Sequence, residues 1–300
     1  MRVLLTGASG FLGAAVLDEL VARGHAVTAL AHVPPRNGDA AQRSAHWLAE
    51  DLAQPGAAAR LLAAEGPEAV VHIAALADIA PCKADPAVAQ RLNAEVPGEI
   101  ATSCAVLAAR LLHVSTDQVF DGSHGGWREE DGPAPLHEYG RSKLAGEQAV
   151  LAACSAALVV RPGLVTGRAP PGRRSASSAL LETLARGARP RLFTDELRTP
   201  VACLDVARAL ADLLEREAVW INRPLPGAPG RVLHLGGPER LSRHELGRRE
   251  AQAAGLDPDQ CEPATRAEAG VEDERPADLS LDSGRAVALL GWAPRMLAEG

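Results

Sequence analysis

The chain has 300 residues, 47% of them apolar and 3% aromatic, with a formal net charge of −7, which is material for a full core in one large α/β domain with or without a smaller lobe. Lys and Arg are scattered among a majority of acids, so nothing marks a nucleic-acid or anionic-membrane surface, and no apolar run approaches the roughly 18 residues of a spanning helix. Five cysteines (Cys82, Cys104, Cys154, Cys203, Cys261) lie far apart without a CxxC and suggest neither a disulfide framework nor a structural zinc site, and Met1-Arg2 runs directly into Val3-Leu4-Leu5 without a signal segment; small-molecule ligands and a cytoplasmic address are the expectation.

Val3 to Thr6 reads as a strand, Thr6-Gly7-Ala8-Ser9-Gly10-Phe11-Leu12-Gly13 as a glycine turn, and Ala14 to Arg23 as a helix stopped by Gly24. Glycines at 7, 10 and 13 permit a tight turn, close backbone approach to a phosphate and close helix-strand packing, and the helix N-terminus offers N–H groups to an anion. This context, strand then turn then helix, is the one a dinucleotide fingerprint requires. The second strand, Ala26 to Ala31, should end beside the adenosine ribose, where an acid would select NAD. Ala31 and His32 stand there instead, with Arg36 soon after, so His32 and Arg36 are candidates for a 2′-phosphate. A short strand at His46 to Leu48 brings Asp51 and Leu52 toward the adenine.

A helix near Ala57 to Ala64, a strand from Ala69 to Ala75, and a helical stretch from Asp85 to Ala109 follow; the last carries Asn93 and should kink at Pro97-Gly98. Strand Leu111 to Val114 delivers Ser115-Thr116-Asp117-Gln118-Val119-Phe120-Asp121-Gly122, polar groups at the strand end where ligands bind in parallel sheets. Helix Tyr139 to Ala153 opens with the only tyrosine of the chain, and Lys143 stands one turn later on the same face. A cation beside a phenol favours the phenolate and makes the pair usable for acid/base chemistry. Strand Ala156 to Arg161, a Pro/Gly/Ser/Arg-rich loop from Gly167 to Ser178 read as a flap, helices at Ser178 to Arg186 and Asp205 to Glu215 (capped by Asp205), a Pro/Gly loop at Pro224 to Pro229, strand Val232 to Leu235 and a helix from about Ser242 complete the pass. His72 and His113, inside strands, read as satisfied core residues, and no histidine shows metal-ligand spacing. The alternation of strands and helices predicts a doubly wound, Rossmann-type parallel sheet formed by residues 1 to 165, with a return at 198 to 236. A smaller substrate-binding lobe would comprise 166 to 197 and 237 to 300.

The TGxxGxxG turn, Ser115-Thr116 after a later strand, and Tyr139-Gly140-Arg141-Ser142-Lys143 together resemble the extended short-chain dehydrogenases/reductases. Within them, Ser115 to Gly122, Arg198-Thr199-Pro200, His234-Leu235-Gly236-Gly237 and Arg275-Pro276 resemble the dTDP-4-dehydrorhamnose reductases. The loop Trp127 to Leu136 is equally similar to the regulatory β subunits of methionine adenosyltransferase, which share the fold and bind NADP. The resemblance implies NADP(H), with NAD(H) second, and a catalytic trio of Thr116, Tyr139 and Lys143. It implies cofactor contacts from Gly7, Ser9, Gly10, Phe11, Leu12, Gly13, His32, Arg36, Asp51, Leu52, Ala74, Ala75, Asn93, Ser115, Tyr139, Lys143 and Arg161. It implies reduction of a keto group on a nucleotide-linked sugar; a regulatory subunit without turnover, or another epimerase or reductase of such sugars, is the alternative. Gln118 stands where those reductases have tyrosine, and it also breaks the Asp-Glu pair of related sugar dehydratases. The expected partners are a nucleotide sugar and neither metal, nucleic acid nor membrane. The oligomeric state stays open, a homodimer included.

Overall fold

The computed structural model describes residues 1–33, 44–169, 173–221, 225 and 230–295. Arg36 and most of the Pro/Gly loop at 224–229 lie outside the described residues. Seven strands form one all-parallel sheet in the order β11-β6-β5-β4-β1-β2-β3: β1 is Arg2–Thr6, β2 Ala26–Ala31, β3 His46–Ala49, β4 Ala69–His72, β5 Arg110–Val114, β6 Leu158–Pro162 and β11 Val232–Leu235. Both faces are covered, which is why these strands read as apolar runs and not as alternating ones. Successive residues serve opposite layers. Val3 and Leu5 join the core under helices α1 (Phe11–Ala22) and α8 (Cys203–Glu215). Leu4 joins the core under α2 (Ala57–Glu65), α5 (Val96–Leu107) and α6 (Glu138–Ala153). The strand order reverses between β1 and β4, and a crevice opens there at the carboxyl ends of the strands.

Three local departures from the sequence reading have physical causes. β4 stops at His72, not Ala75, because the Thr6 hydroxyl accepts the Ile73 and Ala74 N–H groups at 3.1 and 3.2 Å and draws the chain out of the ladder. The stretch from Asp85 is not one helix kinked at Pro97. Short helices α3 (Ile79–Ala84) and α4 (Pro86–Gln90) lead into a π turn over Arg91–Glu95, and α5 follows. Pro97 has no N–H for the Asn93 carbonyl, and the chain widens one turn earlier, Val96 N–H reaching the Arg91 carbonyl. Asp205 does not cap α8; it sits in the first turn and binds Arg295 at 2.7 Å.

Beyond β6 the chain forms pairs that no local signal announced: β7 (Val165–Thr166) with β10 (Val201–Ala202), β8 (Arg191–Phe193) with β13 (Glu262–Ala264), and β9 (Leu197–Arg198) with β12 (Leu241–Ser242). Helices α7 (Ala176–Ala185) and α10 (Arg243–Ala253) share a small core of Leu184, Ala251 and Cys261 beside β8 and β13. The short helix α9 (Glu217–Ile221) and α11 (Gly284–Leu290) pack on the main core through Val219, Ala286 and Leu290.

Candidate active site

The glycine turn has the geometry of an anion cradle. Gly7 takes φ +68°, and a Cβ on it would come within 2.8 Å of the Ala74 nitrogen; a Cβ on Gly13 would run into the Gly7 carbonyl. Gly10 begins α1 with no side-chain cap, so the first-turn N–H groups, those of Phe11, Leu12 and Gly13, stay available. Beside this turn lies a cleft of about 250 Å³ that Gly7, Ser9, His32, Asp51, Leu52, Ala74 and Ala75 line. These residues come from four separate strand ends, and the fit to a dinucleotide rests on that convergence and on positions where no Cβ is tolerated. Asp51 accepts from the Ala53 N–H and the Gln54 amide at 3.0 Å each, bonds that hold its carboxyl below the usual range. Sequence reading missed Glu50, which lines the same cleft. Since β2 and β3 pair with Ala31 opposite Ala49, the residues after them, His32 and Glu50, arrive side by side. The Gly167–Ser178 segment is tied down where it is described: Arg173 Nε donates to the Ser9 carbonyl at 2.9 Å, and Ser175 caps α7.

Thr116, Tyr139 and Lys143 meet at the carboxyl end of β5. All three are buried, at 7%, 8% and 2% exposure, so their charges and protons are felt at low dielectric. Thr116 Oγ1 accepts the Gln118 N–H at 3.2 Å and donates to Asp117 at 3.2 Å. Burial pushes the Tyr139 phenol well above its ordinary value, and the Thr116 hydroxyl, close enough to hydrogen-bond it, works the other way. Lys143 Nζ donates to the Val114 carbonyl at 2.8 Å. Burial brings this ammonium down to about 8, with Glu147 pulling it back up. The expected depression of the phenol by Lys143 does not appear in the free protein, where desolvation dominates and Thr116 is the group that lowers it. His72 and His113 lie stacked nearby, ring centroids 5.3 Å apart; His72 bonds Thr6 at 2.7 Å and is pushed down to about 3 by burial and Lys143. Neither ring nitrogen of His113 has a hydrogen-bond partner among the described residues, so it is a core residue but not a satisfied one.

Three predicted contacts lie behind the site and not on the cleft. Asn93 is fully buried in the π turn: its amide accepts from Leu76 N–H at 2.8 Å and donates to the Leu76 carbonyl and Ser142 Oγ at 3.0 Å each, fixing the loop after β4 to α6. Gly146 makes this possible, because any Cβ there would strike the Asn93 carbonyl. Ser115 donates to Glu147 at 2.5 Å, and Glu147 in turn holds Arg161 at 2.6 and 2.8 Å. Arg161 stacks on Phe120 and is consumed by this pair. Glu147 was not singled out from the sequence, although it continues the Tyr139, Lys143 spacing by one more turn.

Beside Asp117, the residue after Thr116, stands an arginine wall. Buried Glu196 faces Arg198 at 3.2 Å, Arg275 at 3.0 Å and Arg243 at 3.9 Å. Arg198 also approaches Asp117 at 3.8 Å. Asp117 is pushed up to about 6, by burial first, and its Oδ2 has no hydrogen-bond partner among the described residues. Three guanidinium groups meet three carboxylates here, Glu196, Asp117 and, beside Arg243, Glu250, so the wall is a buried network of mixed charge. Among the described residues no group of three His, Cys, Asp or Glu is gathered to hold a metal, and no helix is long and apolar enough to cross a membrane.

A family model described as RmlD substrate binding domain matches residues 1–299. A dTDP-4-dehydrorhamnose reductase of Mycobacterium tuberculosis is 35% identical over 98% of this chain and 88% of its own length. The methionine adenosyltransferase 2 subunit beta of Danio rerio is 29% identical over 97% of this chain and 85% of its own. Among solved structures, a hypothetical dTDP-4-dehydrorhamnose reductase from Sulfolobus tokodaii superposes with a TM-score of 0.80 at 28% identity, covering 99% of this chain and 98% of that one.

Proposed function

From a chain that belongs to the RmlD substrate binding domain family, we propose an NADPH-dependent reductase of a keto group on a nucleotide-linked sugar, of the dTDP-4-dehydrorhamnose kind. The observation that carries this reading is the burial of Thr116, Tyr139 and Lys143 together at one strand end, with Arg198 reaching the neighbouring Asp117. NADPH, when bound, supplies the hydride. The first-turn N–H groups of α1 and the Gly7 backbone would hold its diphosphate, Asp51 its adenine, and His32 would stand at the 2′-phosphate. Thr116 would hydrogen-bond the substrate carbonyl, and Tyr139, kept protonated by its burial, would deliver a proton to the oxygen as negative charge develops there. The Lys143 ammonium, one turn along α6, would stabilise the phenolate left behind. Arg198, Arg243 and Arg275 suit a nucleotide diphosphate; Arg243 and Arg275 would come from the lobe of residues 166–197 and 237–300, and Arg198 from the returning segment at 198–236.

The similarity to methionine adenosyltransferase 2 subunit beta supports a second reading, a nucleotide-binding subunit without turnover. One experiment separates the two. NADPH is supplied with a panel of 4-keto nucleotide sugars, and nicotinamide absorbance is followed for the parent and for Tyr139→Phe. The expected result is oxidation by the parent and a loss of roughly 10²- to 10⁴-fold in Tyr139→Phe with cofactor affinity intact, the usual weight of general acid catalysis. No oxidation with any member of the panel would hand the chain to the regulatory reading.

A further inference from the structure

His137 is the last residue before α6 and caps it: its Nδ1 accepts the Gly140 N–H at 3.1 Å. Its Nε2 lies 2.7 Å from Gln118 Oε1, and its ring lies nearly parallel to the Tyr139 ring, centroids 6.2 Å apart and planes 14° apart. The tautomer follows from these contacts. Nδ1 gives its lone pair to an N–H, so the ring proton sits on Nε2 and is donated to the Gln118 amide oxygen. One neutral imidazole therefore joins the turn after β5, which carries Thr116, to the first turn of α6, which carries Tyr139. The two segments meet without a side chain between them, since a Cβ on Gly140 would strike the Gln118 carbonyl.

Resting on the reductase reading, we propose that His137 is a positioning residue that sets the Tyr139 phenol against Thr116 in its neutral form, and that its protonation is an acid switch on turnover. A second ring proton turns Nδ1 into a donor facing another donor, and Gly140 loses its acceptor. The charged groups around the ring decide where this happens. Arg141 on its own helix, Arg198 from β9 and Arg275 from the segment after β13 all oppose a further positive charge, while a backbone hydrogen bond and the Glu274 carboxylate favour it. Burial acts with the arginines, so His137 titrates below the ordinary histidine value and the cap holds at neutral pH. Turnover should therefore fall only in acid, below the ordinary histidine range.

The test uses His137→Asn, which keeps a neutral acceptor for the Gly140 N–H and does not titrate, and His137→Ala, which keeps none. kcat and KM are measured separately against pH with NADPH and dTDP-4-dehydrorhamnose, and hydrogen exchange of the Gly140 amide is followed over the same range. His137→Ala should lower kcat about fivefold to tenfold, the equivalent of a lost cap, with NADPH affinity unchanged. His137→Asn should recover most of that loss and abolish the acid fall in kcat. In the parent, Gly140 protection should drop in acid, and in His137→Asn it should persist. An acid limb unchanged in His137→Asn would overturn the proposal and assign that limb to another group, such as Asp117. Unchanged kcat in His137→Ala would overturn it as well. The exchange measurement needs no turnover: a chain that reduces no ketone would sink the reductase reading and with it the switch on turnover, while loss of Gly140 protection in acid only when His137 is present would still establish the protonation-dependent cap.

Discussion

Glu147→Ala is the substitution whose consequence follows most directly from the buried polar layer. Glu147 is 3% exposed and holds Arg161, itself 4% exposed, at 2.6 and 2.8 Å, while accepting the Ser115 hydroxyl at 2.5 Å. Removing the carboxylate leaves a guanidinium buried without its counter-charge, a change that costs about 3–5 kcal/mol. An unfolding entropy of about 2.1 cal/mol/K per residue gives roughly 0.6 kcal/mol/K for this chain, so a loss of about 4 kcal/mol lowers Tm by about 6 °C. Replacing both partners, as in Glu147→Leu with Arg161→Met, should cost much less than the single change, because no charge is then stranded. Urea titration of the parent, Glu147→Leu, Arg161→Met and the double variant measures the coupling. A Glu147→Ala protein less than about 1 kcal/mol weaker than the parent, or a double variant that loses the sum of the singles, would refute the reasoning. The single variant also removes the influence that raises Lys143, so the ammonium should then lose its proton below the present value of about 8.

The basic limb of activity should lie near pH 8, since Lys143 titrates there and its ammonium supports the phenolate. Stability moves the other way: the folded value of about 8 lies below the unfolded 10.5, so between these limits the unfolded chain holds more protons and stability rises with pH. The rise from pH 8 to 10 is on the order of 2–3 kcal/mol, and urea midpoints should show it in the parent and lose it in Lys143→Met. Glu50→Gln should strengthen NADPH binding by roughly threefold to tenfold at low salt and leave NADH nearly unchanged, because a carboxylate in the cleft beside His32 opposes a 2′-phosphate. Calorimetry with both cofactors decides it, and an equal gain for the two would show that Glu50 does not face that phosphate.

What could be read from the sequence was local. The glycine turn works through neighbours in the chain, and two of its three glycines have steric reasons in the fold, Gly7 against Ala74 and Gly13 against Gly7. The strand and helix order of the main sheet was legible because each strand is a short apolar run bounded by turn residues and most helices between them are long enough to show a helical period. The remainder depends on residues that sequence separation hides. Glu50 reaches the cofactor cleft only through the pairing of β2 with β3, and Glu196 collects arginines from positions 198, 243 and 275. The two- and three-residue strands β7 to β10, β12 and β13 are too short to show a period, and each is held by a partner 30 or more positions away.

Helix α6 shows how a non-local site still leaves a local trace. Tyr139, Lys143 and Glu147 recur every four residues and so share one face, and that face is buried at 8%, 2% and 3%. A helix ordinarily turns such groups to water, and burying a phenol, an ammonium and a carboxylate in a row costs free energy unless each is met by a partner. Here Thr116, the Val114 carbonyl, and Ser115 with Arg161 meet them in order, and the partners all come from β5, the turn after it, or β6. The helix can lie close enough for these bonds because Gly140 and Gly146, six apart, offer no Cβ to the backbone of Gln118 and Asn93. The spacing that first drew attention, a phenol and an ammonium one turn apart, is thus the exposed-looking end of a longer polar stripe. Extending it by four residues to Glu147 and flanking it with the two glycines turns a weak motif into a statement about packing: this helix must be seated on the end of a polar strand.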